Sequence, residues 1–120
     1  MKILIVDDSK AMRMIVARTL RQAGYGDATL VEAANGREAL AVIESNPPNL
    51  VLCDWNMPEM SGIELLRALR GANNAVPFGF VTSEASQEMK DTATAAGAQF
   101  LITKPFTPKV FEQTIGGMVP

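Results

Sequence analysis

The 120-residue sequence has no histidine and a single cysteine, Cys53. Without histidine the chain holds no Ser-His-Asp triad, no imidazole base and no phosphohistidine of its own. A lone cysteine forms no intramolecular disulfide, and there is no Cys/His cluster for a structural zinc. Charge of one sign is also missing. Eleven basic residues face thirteen acidic ones, a net charge of −2, which gives no electrostatic reason to bind nucleic acid. No stretch approaches the ~20 apolar residues of a membrane span. The opening apolar run meets Asp7 and Asp8 too soon to be a secretion signal. One cytoplasmic domain over residues 1–120 is expected, monomeric and without nucleic-acid or membrane partners.

Short apolar runs alternate with amphipathic ones. Ile3 to Val6 is continuous and β-branched, as in a strand covered on both faces. Met12, Ile15, Val16, Thr19, Leu20 and Ala23 then trace one helix face, closed by Gly24 and Gly26. Further strands are expected at Thr29–Ala33, Leu50–Asp54, Phe78–Thr82 and Phe100–Thr103. Helices follow around Ala39–Ile43, Ile63–Leu69, Ser86–Ala96 and Pro108–Ile115, the last ending at Gly116-Gly117 and fraying before Pro120. Five strand–helix units predict an α/β fold with a five-stranded parallel sheet and helices on both faces.

In such a sheet, functional groups collect at the carboxyl ends of the strands. Here those ends carry Asp7-Asp8, Asp54, Thr82 and Lys104. If the first and third strands are neighbours, three carboxylates share one crevice. Two carboxylates ~4–5 Å apart repel by roughly 3–4 kcal/mol at an effective dielectric near 20. Some must then be protonated, or a cation sits among them. Oxygen ligands without His or Cys suit a hard ion, and an open cluster suits Mg²⁺ over a calcium cage. Asp54 is the candidate reacting group: an ionised carboxylate attacks phosphorus without a general base.

Val6-Asp7-Asp8-Ser9, Cys53-Asp54-Trp55-Asn56-Met57-Pro58 with Gly62, Thr82-Ser83-Glu84 and Lys104-Pro105-Phe106 resemble the receiver domain of two-component response regulators. The likeness covers the whole chain and is greatest to single-domain CheY-like chemotaxis regulators. The strand order 2-1-3-4-5 is taken from that resemblance. So are the roles. Asp54 would accept a phosphoryl group from a partner histidine kinase or phosphotransfer protein. Asp8, Asp54 and the Asn56 carbonyl would bind Mg²⁺, with Asp7 acting through water. Thr82 and Lys104 would contact the phosphoryl group, and Asn56 and Glu84 would tune its hydrolysis. The Lys104-Pro105 bond is expected to be cis. The fourth helix, fifth strand and fifth helix would form the readout for a downstream protein, with no output domain in the chain.

One position departs from the family. An aromatic ring is usual three residues before the lysine, where this chain has Leu101. Phe100, the nearby aromatic, belongs on the opposite sheet face. Either the leucine rearranges or backbone motion alone carries the switch.

Other readings compete. Taken alone, Asp8 or Ser9 is an N-cap, Thr82 an ordinary strand residue and Cys53 a buried hydrophobe. Lys10, Arg13, Arg18 and Arg21 read as a solvated basic face, and Trp55 as a partly exposed loop aromatic. A haloacid-dehalogenase-type phosphatase wants Asp-x-Asp and a cap domain. A flavin carrier wants hydroxyls and glycines after the first strand. A receiver that is never phosphorylated would lack acceptor groups that are all present here.

Overall fold

The computed structural model describes residues 1–116. The expected stop at Gly117 and fraying before Pro120 lie outside the described residues. Five strands, β1 (Lys2–Val6), β2 (Thr29–Ala33), β3 (Leu50–Cys53), β4 (Phe78–Thr82) and β5 (Phe100–Thr103), alternate with five α-helices. The helices are α1 (Lys10–Leu20), α2 (Gly36–Ser45), α3 (Gly62–Gly71), α4 (Gln87–Ala96) and α5 (Pro108–Ile115). The sheet is parallel throughout, in the order β2-β1-β3-β4-β5. The expected fold class holds.

Why these segments form these elements follows from burial. The residues of β3 and β4, and Ile3 to Val6 of β1, are all buried, so central strands need apolar side chains on both faces. The edge strands β2 and β5 are only partly covered and carry Glu32 and Thr103 outward. One core, with Leu4, Val51, Leu66 and Phe80, lies on the face of α2, α3 and α4. The other, with Ile5, Leu20, Leu52 and Phe111, lies on the face of α1 and α5. Each helix begins at a side-chain cap: Ser9, Asn35, Ser61, Ser86 and Thr107 all accept an N–H from the first turn. At α3 the Ser61 and Glu64 pair closes a full capping box, satisfying donors that would otherwise be orphaned.

Two expectations change in detail. The face of α1 was expected to bury Ile15, but Ile15 is exposed; the buried residues are Val16, Ala17, Thr19 and Leu20. Beyond Leu20 the chain makes a wide turn over Arg21–Tyr25, with Gly24 at φ 103°. Gly26, expected to share the capping role, has an ordinary φ of −63°.

The β4–β5 pairing contains an exchange of bulk. Gly79 pairs with Phe100, and a Cβ on Gly79 would sit 2.0 Å from the Phe100 ring. The ring covers bare backbone. Gly79→Ala should therefore cost about 1–3 kcal/mol by overpacking. Chemical denaturation checks this, and the cost should shrink in a Phe100→Leu background, where the clashing ring is gone.

Candidate functional site

The register of the sheet sets the geometry of the site. β1 and β3 are neighbours, pairing Val6 with Cys53, so the residues that follow the two strands emerge side by side. Backbone bonds carry the ladder one step further: Asp7 N donates to the Ala33 carbonyl (3.1 Å), Asp54 N to Val6 (2.9 Å) and Lys104 N to Thr82 (2.8 Å). Asp54 was expected as the last residue of the third strand; it lies just beyond it, at the start of the loop.

Carboxylate oxygens of Asp7, Asp8 and Asp54 lie within 4.8 Å of one another. Asp7 is buried and Asp8 exposed. The Lys104 ammonium reaches in from the residue just past β5, 3.3 Å from Asp7 Oδ2 and 3.6 Å from Asp54 Oδ1. Asp7 Oδ1 also accepts the Ser9 N–H at 2.9 Å, tying the acidic turn to the cap of α1. Burial holds the Asp54 carboxyl above its usual range; Lys104 opposes that shift and Asp7 adds to it. Burial, reinforced by Asp54 and Asp7, pushes the Cys53 thiol well up, so Cys53 is no reactive thiolate.

Three carboxylates facing one ammonium leave an excess of negative charge around oxygen donors alone. That donor set fits a small hard divalent cation.

Thr82, fully buried at the end of β4, points its hydroxyl oxygen toward Glu84 N at 3.5 Å. Asn56 and Glu84 are exposed. The Lys104-Pro105 peptide is cis. The loop after Asp54 is shaped by glycines. A Cβ on Gly62 would lie 2.3 Å from the Asp54 carbonyl and 2.9 Å from the Phe80 ring. Gly36 makes the corresponding room for Met60, with a Cβ 2.7 Å from its side chain.

Leu101 packs on the α2–α4 face and pairs in register with Phe80, while Phe100 belongs to the other core, as strand alternation requires. The aromatic surface near the site is instead Phe80, whose ring lies 4.7 Å from Trp55. Sequence reasoning did not find that pair, nor the role of Arg13. Arg13 was expected on a solvated face, but its side chain is only 15% exposed. It donates to Glu32 (2.8 Å) and to the Asp7 carbonyl (2.7 Å). Exposed Ile15 borders a cleft of about 450 Å³ shared with Met12, Thr19, Ser83, Lys104, Pro105 and Phe106.

Residues 3–116 match the response regulator receiver domain. The chain belongs to that family. Chemotaxis protein CheY1 of Helicobacter pylori J99 is 41% identical over 96% of this chain and 94% of that protein. Chemotaxis protein CheY of Pseudomonas aeruginosa is 40% identical over 96% and 93%. Among solved structures, the chemotaxis protein CheY4 of Vibrio cholerae superimposes with a TM-score of 0.86 at 36% identity, covering 98% of both chains. This receiver is thus a phosphorylatable signalling switch of the CheY type. Among the described residues, no helix is long and apolar enough to cross a membrane.

A raised Asp54 pKa means that the fold disfavours its charged form. That penalty is absent below the unfolded-state pKa and full above the folded one. Asp54→Asn should raise the melting temperature of the metal-free receiver at neutral pH. The gain should fade on acidification, as melting curves across the acid range would show.

Proposed function

We propose that Asp54 is the phosphoacceptor of this receiver and that Mg²⁺ is its cofactor. One observation carries the reading: three carboxylates converge within 4.8 Å, with an ammonium 3.6 Å from Asp54. A carboxylate oxygen of Asp54 attacks the phosphorus of a partner's phosphohistidine. The new P–O bond forms as the P–N bond breaks, and the partner's imidazole leaves with its electron pair. Asp8, Asp54 and the Asn56 carbonyl would hold the ion, and Asp7 would act through water and through its contact with Lys104. The ion supplies positive charge beside the phosphoryl oxygens. Lys104 and the Thr82 hydroxyl bind those oxygens, while exposed Asn56 and Glu84 govern the access of water. Any catalysis by this chain is limited to its own phosphorylation and dephosphorylation.

The partner would be a histidine kinase or phosphotransfer protein, which supplies the phosphohistidine that this histidine-free chain cannot form. The apolar cleft beside Lys104 gives such a partner a surface next to the acceptor. Switching needs little energy. Moving a population from 1:99 to 99:1 takes about 5.5 kcal/mol, and charge-assisted hydrogen bonds contribute about 1.5–3 kcal/mol each. Contacts from Thr82 and Lys104, with the ion, reach that range. The loop after Thr82 moves, Leu101 adjusts beside it, and α4, β5 and α5 present the result to a downstream protein.

Incubation with a small phosphodonor and Mg²⁺ should add the mass of one phosphoryl group in a hydrolytically labile linkage. The adduct should vanish in Asp54→Asn and with chelator, read by intact mass. A wild type that never gains it would refute the acceptor role. Mg²⁺ should also change Trp55 fluorescence, since the indole follows a ligand in the chain. Asp8→Ala should lose the response over the concentration range that saturates the wild type.

A further inference from the structure

Arg13 links three parts of the fold: α1, which carries it; the turn after β1, whose Asp7 carbonyl it binds at 2.7 Å; and β2, where Glu32 accepts from its Nε at 2.8 Å. The Asp7 carbonyl belongs to the Asp7–Asp8 peptide. That peptide joins two of the three clustered carboxylates, so its orientation decides where Asp8 points relative to Asp7. The Asp7 N–H is held by Ala33 and the Asp7 carboxylate by Ser9 and Lys104. Asp8, by contrast, is exposed. The guanidinium is the group that fixes the peptide from which Asp8 projects.

We propose that Arg13, braced by Glu32, is a positioning residue for the divalent cation, holding the Asp7–Asp8 peptide so that both carboxylates face Asp54. This rests on the Mg²⁺ reading above. The two side chains divide the task. Arg13 supplies a planar fork that serves two acceptors at once, and Glu32 offsets the positive charge so brought near a cation site. An outer residue of this kind orients ligands without touching the ion.

Electrostatics and positioning predict opposite signs. A guanidinium that acts only through its charge repels Mg²⁺, so its removal would tighten binding. A positioning residue weakens binding when removed. The measurement is a Mg²⁺ titration of the whole chain followed by Trp55 fluorescence, a readout separate from phosphorylation. Arg13→Met should raise the apparent dissociation constant about tenfold. Arg13→Lys keeps the charge but loses the fork, and should also bind Mg²⁺ more weakly than wild type. Unchanged or tighter binding by Arg13→Met would overturn the proposal while leaving the metal site standing. If Arg13→Met does not fold, Arg13→Lys decides: weaker binding supports the role and equal binding overturns it. A wild type silent to Mg²⁺ would overturn the metal reading and the positioning role with it.

Discussion

Mutual repulsion among carboxylates governs this molecule. Asp7 and Asp54 are forced together by the pairing of β1 with β3, and neither can move away without breaking the ladder bonds to Ala33 and Val6. The strain is not relieved by solvent, because both side chains are largely covered. Lys104 offsets part of it from just past β5. What remains is a site short of positive charge, preorganised before any ligand arrives. Electrostatic preorganisation of this kind costs no rearrangement at the moment of reaction.

The rest of the architecture reads as support for that edge. Buried β-branched and aromatic strands make the sheet rigid, and serine, asparagine or threonine caps start each helix. Glycines stand where the loop after β3 crosses other elements. Gly62 lets the Asp54 carbonyl and the Phe80 ring approach, and Gly36 receives Met60. The loop that bears Asp54 is thus seated at two points, while the neighbouring segment after Thr82, with exposed Ser83 and Glu84, is far less enclosed. The site is thus closely packed on one side and open on the other.

Much of this was legible in the sequence because the signals were local. Continuous apolar runs marked central strands, and a charged or hydroxyl residue closing four of the five marked the functional edge. Strand alternation alone placed Leu101 and Phe100 on opposite faces. What escaped were contacts between residues far apart in the chain. Nothing in the spacing of Arg13 and Glu32 announces a pair across nineteen positions, so a largely covered guanidinium read as solvated. Ile15 fits the apolar period of α1, yet tertiary packing left its flank uncovered. Trp55 against Phe80 depends on how the loop after β3 folds back, which periodicity does not encode. Asp54 lies one residue past its strand because β3 ends at Cys53, and boundaries of this kind shift by a residue or two.

The exchange of bulk between Gly79 and Phe100 bears on how freely this receiver can be recombined with its relatives. Each residue packs best in the company of the other. A chimera that imports β5 from another receiver, with a small residue opposite Gly79, would leave an unfilled gap over the sheet. One that imports β4 with a larger side chain would collide with the ring. Exchanging the two strands together avoids both faults, whereas changing either position alone leaves a gap or a clash at this pairing.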